Sequence, residues 1–260
     1  MKFKQLINVH SHTHYSLDGA STVKQIVDRN FELGATYTAV TEHGNMNSGI
    51  DLYHTCKSYK KGKMNPILGI ELYMQPPFID EIRKEYTSYY RLKNNKDLDK
   101  SQAEKIEKKI QESYVHLTVH FKDEAAYQYF CRLTPKMEER AVIKVGERKP
   151  VCTIDELHGI AGHITICSSC LIGFVGKFLA WKIEKEDNFK RPDLATKAYH
   201  ILRDIAGKDD FFIEIFPHTV DHNWKAGAKD GSTQGCFEPI KGGDLQLEPN
   251  NFIRALDPRP

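Results

Sequence analysis

Apolar positions along this chain switch repeatedly between a short, strand-like run and a 3.6-residue stripe. Leu6–Val9 reads as a strand, and Thr22–Leu33 as a helix with Val23, Ile26, Val27 and Phe31 on one face and Gly34 as its terminator. Tyr37–Val40 is a second strand, Ser48–Lys61 a second helix, and Pro66–Met74 a third strand. Tyr114–Phe121 is a fourth strand, followed by a helix from about Asp123 to Leu133. Thr153-Ile-Asp-Glu156 has the spacing of a capping box and opens a short helix. His163–Cys167 reads as a fifth strand. Leu171, Val175, Phe178, Leu179 and Ile183 mark a helix at 3.6 spacing. Pro192 suits the first turn of a last helix, with Leu194, Ala198, Ile201 and Ile205 inside and Gly207 at its end; Phe211–Phe216 is the final strand. Strand-then-helix repetition of this kind implies a parallel sheet or barrel.

Two stretches break the alternation. Asp80–Ser113 is charged and helix-prone, with Lys and Glu interleaved through Lys100–Glu112, and reads as an inserted helical hairpin with a solvated face. Residues 218–260 lose periodicity and gain Gly and Pro, so they read as an irregular extension after a domain spanning 1–217. A compact domain rarely ends so, and a parent chain longer than this one is the expectation.

Composition narrows the function classes. At 260 residues with 40% hydrophobic content, the chain can bury a substantial core. A formal net charge of +2 gives no global argument for nucleic-acid binding. Lys57, Lys60, Lys61 and Lys63 form a small local basic cluster, equally readable as a solvated helix end. No apolar run approaches membrane-spanning length, and Met-Lys-Phe-Lys-Gln at the start lacks a signal-peptide core. The six cysteines are scattered apart from Cys167-Ser-Ser-Cys170, too few for a disulfide scaffold. A cytoplasmic location is the expectation.

The chemistry-bearing residues fall near strand ends. His10 and His12 alternate on one face of an extended segment, and two imidazoles on one face can grip a divalent ion. Asp18 follows six residues later. Thr41-Glu-His-Gly44 follows the second strand, and His43 there is either a ligand or a turn residue. Glu71, between Ile70 and Leu72, is a carboxylate in apolar company and needs a cation or partner. His116 is a ligand or a satisfied core histidine. Cys170 is a ligand, a redox partner of Cys167, or a small buried residue. His14, His54, His120, His158, His163, His200 and His222 read as ordinary surface or core residues. In a parallel barrel the strands' C-terminal ends converge on one rim, so these candidates would meet there.

These segments resemble the PHP (polymerase and histidinol phosphatase) family, and more narrowly the PHP domains found at the N-terminus of bacterial and phage replicative polymerases of the DNA polymerase III alpha type. The resemblance is carried by His10-Ser-His-Thr-His-Tyr-Ser-Leu-Asp-Gly-Ala20, Thr41-Glu-His-Gly-Asn45, Pro66-Ile-Leu-Gly-Ile-Glu-Leu-Tyr73, His116-Leu-Thr-Val-His-Phe-Lys-Asp-Glu-Ala-Ala-Tyr127, Ser168-Ser-Cys-Leu-Ile-Gly173, and Phe211-Phe-Ile-Glu-Ile215 with His218. It implies a distorted (β/α)7 TIM-like barrel holding up to three divalent metals. His10, His12 and Glu71 would share the first. Glu71 would bridge to a second held by His116 and Cys170, and Asp18 and His43 would hold a third. Such mixed ligation suits zinc, with manganese or iron as competitors.

The implied activity is phosphoester hydrolysis of the 3′–5′ exonuclease type. The implied partners are DNA through a parent polymerase and other replisome subunits, with no membrane. A free-standing small-molecule phosphatase and a catalytically silent scaffold are the alternatives. The sequence departs from the family in three places. Glu42 stands where Asp is usual, one leucine fewer precedes Asp18, and the closing Asp-x-His pair has no counterpart, since Asp221 and His222 are adjacent. The resemblance places that pair beyond Pro260.

Overall fold

The computed structural model describes residues 8–59, 64–144, 146–170, 172–179 and 191–214. The chain separates into a unit spanning Met1–Phe212 and a second spanning Ile213–Pro260, of which only Ile213 and Glu214 are among the described residues. The irregular extension, most of the lysine cluster and the end of the final predicted strand lie outside them.

The first unit begins with α1 (Val23–Glu32), held by a reciprocal capping box between Thr22 and Gln25. It continues through β1 (Tyr37–Val40), α2 (Gly49–Ser58) and β2 (Asn65–Met74). The charged insertion is a helical hairpin, α3 (Ile79–Asn94) and α4 (Lys100–Gln111). It buries Ile82 against Ile106 and Ile110 on an otherwise polar pair, with Arg83 forked onto Glu107. Then come β3 (Val115–Phe121), α5 (Glu124–Glu139), β4 (Val142–Lys144), β5 (Glu147–Lys149), β6 (Val151–Cys152), α6 (Ile154–His158), β7 (Ile164–Cys167), α7 (Pro192–Ala206) and β8 (Phe211–Phe212).

The sheet is mixed, and among the described residues it does not close. Its order is β1-β2-β3-β7-β8, with β6 also paired to β2. The β1–β2, β2–β6 and β7–β8 pairs are parallel, but β3 runs antiparallel to both β2 and β7. This corrects the expectation of an all-parallel sheet. Physically, the α3–α4 hairpin leaves and re-enters at the same end of the sheet, so it is not a crossover connection, and the returning strand must run backwards.

Register sorts the side chains by face. On one face the pairs are Ile70 with Val119, Leu72 with Leu117, and Met74 with Val115, all buried. Val40 and Leu68 continue this face into a cluster with Val23, Val27, Leu52 and Cys56 of α1 and α2, and Phe121 stacks on Phe130 of α5. Burying each such side chain fully contributes about 1.5–3 kcal/mol. On the opposite face the pairs are Gly69 with His120, Glu71 with Thr118, and Tyr73 with His116. That polar face is the floor of the candidate site.

Three further expectations change. Leu6 and Ile7 of the predicted first strand lie outside the described residues, and Asn8–Thr13 has no ladder of its own; this segment lies beside β1 through Thr41 N–H donating to Ser11 O at 2.9 Å. The predicted helix from Leu171 is, where described, one 3-10 turn at Gly176–Phe178. Its preceding backbone is spent on β3, since His116 N–H donates to Ile172 O at 3.1 Å and Phe174 N–H to His116 O at 2.8 Å. Finally, α5 runs on past Pro135 to Glu139, because Leu133 and Met137 extend its buried stripe beyond Ala126 and Phe130.

Candidate metal centre

Three loops and two strands meet over the polar face. Glu42 is itself fully buried, and its carboxylate acts as a staple. It accepts the Thr13 N–H at 3.2 Å, the Thr13 hydroxyl at 2.5 Å and the Ser16 hydroxyl at 2.5 Å. His43 N–H donates to Ser16 Oγ at 3.0 Å. Two successive turns, Ser16 N–H to Thr13 O and Gly19 N–H to Ser16 O, then bring Asp18 round to His43. The residue that departs from the family's usual Asp therefore anchors the loop that carries His12 and Asp18.

After β7 the backbone turns sharply at Ser168–Cys170, and Gly173 N–H donates back to Cys170 O at 2.8 Å. Ser169 has φ +62°, and a Cβ on Gly173 would stand 2.3 Å from Ser168 O, so only glycine fits there. This turn aims Ser169 Oγ at Glu71 Oε1, 2.5 Å away, and leaves Cys170 Sγ 4.0 Å from His116 Nδ1.

Glu71 sits at the centre with 1% exposure. His10 Nε2 and His12 Nε2 lie 3.4 and 3.2 Å from its Oε2, and His43 Nδ1 lies 2.9 Å from the same atom. His116 Nδ1 is 3.1 Å from Oε1. His43 Nε2 reaches Asp18 Oδ2 at 3.0 Å, and the rings of His12 and His43 stack at 4.1 Å. Four imidazoles thus enclose one carboxylate. His12 Nδ1, His43 Nδ1, Glu71 Oε2 and Ser11 Oγ are nonetheless buried without a directed hydrogen bond among the described residues. Nitrogen and oxygen donors that crowd one another without hydrogen-bond geometry are arranged as ligands of a common cation are. Three overlapping donor groups result, each with ligand atoms within 4.8 Å: His10, His12 and Glu71; His12, Asp18 and His43; His43, Glu71 and His116.

The electrostatics follow from the same crowding. Burial pushes the Glu71 carboxyl up, but His10, His116, His12 and His43 more than offset it and hold the group far below the usual range. Burial pushes His43 down, yet Glu71 and Asp18 on its two nitrogens raise it above the ordinary histidine value. His116 stays below that value because burial, with His43 and His10 nearby, outweighs Glu71. Asp18, which burial would raise, is held low by His43 and His12.

All seven sequence candidates fall in this neighbourhood, with Cys170 at its edge beyond His116. Sequence reasoning passed over four supporting residues. Thr118 Oγ1 lies 3.2 Å from His10 Nδ1, which turns His10 Nε2 toward Glu71. His120, read as ordinary, donates through Nε2 to Val9 O at 2.6 Å and so fixes the segment that carries His10 and His12. Glu42 and Ser169 are the other two. The signal for the first pair was present: His116-x-Thr118-x-His120 puts polar residues at every second place of an otherwise apolar strand.

Residues 8–218 match the family model described as PHP domain, and the chain belongs to that family. Among its curated relatives are DNA polymerase III alpha subunits. The one from Campylobacter jejuni is 30% identical over 225 residues, covering 83% of this chain and 15% of the relative. Those from Treponema pallidum and Helicobacter pylori are 28% and 29% identical, covering 84% of this chain and 16% and 15% of the relatives. The chain therefore spans about 15% of the length of the relatives it matches. Among solved structures, an amidohydrolase from Chromobacterium violaceum overlaps 51% of this chain and 33% of its own length at 15% identity, with a TM-score of 0.32, too loose to build on.

Proposed function

We propose that this chain is a metal-dependent phosphoesterase domain, and that its substrate is a phosphodiester in DNA, attacked in the 3′–5′ exonuclease manner in a replicative setting. The observation that carries the reading is Glu71, a buried carboxylate ringed by four imidazoles whose Oε2 has no directed hydrogen bond among the described residues. His10, His12 and Glu71 would hold one cation. Glu71 and His116 would hold a second, with His43 closer to hand than Cys170, and Asp18 and His43 a third with His12. The donor set suits zinc, with manganese or iron at the harder positions. When bound, such cations supply Lewis acidity toward a phosphoryl oxygen and lower the pKa of water.

The protein's own part is to hold the ligands rigidly, through Glu42, Thr118, His120 and Ser169, around a buried Glu71 with Asp18 at the solvent edge. On this reading the mixed sheet is an arc of a distorted (β/α)7 barrel. In support, β2 brings Glu71 and the antiparallel β3 brings His116 to the same rim. Relationship to polymerase alpha subunits favours DNA and replisome partners in the cytoplasm. No helix among the described residues is long and apolar enough to cross a membrane.

The test combines metal analysis with hydrolysis. Purified chain should carry zinc or manganese, or take it up, and should shorten a 5′-labelled single-stranded oligonucleotide from its 3′ end. Glu71→Gln should lose most of the metal and at least about 100-fold in rate, as removal of a central ligand does. A chain that refuses metal overturns the reading. One that binds metal but cleaves only a small phosphomonoester, or nothing, replaces the DNA substrate with the phosphatase or the silent scaffold.

A further inference from the structure

The β4–β5 hairpin, invisible in the sequence pattern, brings a cation to the rim of the metal centre. Lys149 is the last residue of β5, and its side chain is only 14% exposed. Its ammonium lies 5.1 Å from the centre of the Tyr73 ring and 3.3 Å from the Tyr73 hydroxyl. Tyr73 in turn stacks on His43 at 5.7 Å and meets His116 edge-on at 5.2 Å. One aromatic ring therefore separates Lys149 from two of the imidazoles around Glu71.

The placement is rigid. Val151, two residues on, is in register with Tyr73 in the β2–β6 ladder. Pro150 and Tyr73 both press on Gly44, at φ +65°, immediately after His43: a Cβ there would stand 3.1 Å from each. Lys149 has a single carboxylate among its described contacts, Glu147 at 2.5 Å, which is itself 46% exposed. An ammonium whose side chain is this buried, and whose one carboxylate among the described contacts is itself half-exposed, can take a second anion in competition with that carboxylate.

The geometry points to a phosphate-binding subsite formed by the Lys149 ammonium and the Tyr73 hydroxyl beside the metal centre, holding a phosphate group of the substrate. This deepens the phosphoesterase reading and rests on it for the word substrate. Phosphate binding itself can be measured whether or not the chain hydrolyses anything. A lysine reads charge and not a fixed fork, so the subsite takes a phosphate of either a nucleic-acid strand or a small ester.

The experiment titrates the full chain, metal-loaded, with inorganic phosphate by calorimetry, and measures KM and kcat on a single-stranded oligonucleotide and on a phosphomonoester. Lys149→Gln should weaken phosphate binding roughly tenfold to hundredfold, the loss of one charge-assisted hydrogen bond. Tyr73→Phe should weaken it less, and Lys149→Arg should largely restore it. Metal content should stay as in the parent. Glu147→Gln should tighten binding, because it removes the anion that competes for the ammonium; a merely structural lysine would give no such gain. Lys96→Gln, an exposed lysine of the α3–α4 turn, should bind as the parent does.

If activity is present, the KM effect should appear on the oligonucleotide for a strand phosphate, or on the monoester for a small ester. Unchanged phosphate affinity in both Lys149→Gln and Glu147→Gln overturns the subsite even where metal binding and hydrolysis stand. Loss of phosphate affinity in a chain that hydrolyses nothing keeps the subsite and removes the phosphoesterase.

Discussion

At the scale of single residues, the candidate site is a problem in where to put one negative charge. An ionised carboxylate stripped of water costs several kcal/mol unless compensated, and Glu71 is compensated by four ring nitrogens and the Ser169 hydroxyl, with its Oε2 left to ring nitrogens that a proton or a cation must reinforce. Glu42 solves the same problem differently, with one N–H and two hydroxyls. Glu42→Gln swaps half an acceptor for a donor among those groups. We expect a loss of about 1–3 kcal/mol in urea unfolding and weaker metal binding through the displaced 13–18 turn. Thr118→Val, which frees His10 to rotate, should cost about 10-fold to 100-fold in metal affinity with little change in stability. Equal affinity in parent and variant would show that His10 does not depend on it. The sequence announced the ligands more readily than their supports. Histidines at i and i+2 declare themselves by type, whereas Thr13, Thr118 and Ser169 are common residues whose roles exist only once distant segments touch.

At the scale of elements, periodicity was a good guide wherever a helix or strand had one buried face. α1, β1, β2 and α7 lie close to their expected positions, and the charged stretch forms the expected hairpin. Periodicity is silent on direction, so nothing in Val115–Phe121 could say that β3 runs against its neighbours. It is also silent on strands of two or three residues, so the β4–β5 hairpin and β6 went unseen. The 3-10 turn at Gly176–Phe178 kept its apolar residues buried as the 3.6 spacing required, but the preceding backbone had been claimed by β3. Element-scale tests follow. Leu117→Ala, at the middle of the buried face of β3, should destabilise by about 2–5 kcal/mol. The α6 capping box should report on pH. Burial raises the Glu156 carboxyl, but the Thr153 N–H and Arg140 hold it below its ordinary value. Its contribution is therefore present above the unfolded-state value and lost as pH falls through the folded one. Glu156→Gln should flatten the acid-side decline of stability without altering the neutral plateau beyond the cost of the lost Arg140 pair, read from unfolding curves at successive pH values.

At the scale of the whole molecule, the centre ties together the N-terminal segment, the loop after β1, the two central strands and the turn after β7. A cation bound only by the folded chain stabilises all of these at once, by about 2.7 kcal/mol when it is present at 100 times its dissociation constant. Added zinc or manganese should raise the melting temperature, a chelator should reverse the rise, and Glu71→Gln should show neither response. A melting temperature indifferent to metal in the parent chain would separate the centre from the fold's stability.

Because Tyr73 and His116 face each other across an antiparallel pair, everything from Gln75 to Tyr114 sets out from the rim and comes home to it. The excursion carries α3 and α4, yet no ligand, and its length has no bearing on the alignment of the two strands it joins. Evolution or an engineer could rebuild the outer turn between the two helices, provided Phe78 keeps its seat on Phe178, Glu85 its pair with Arg191, and Tyr114 its place against Tyr73 and His116.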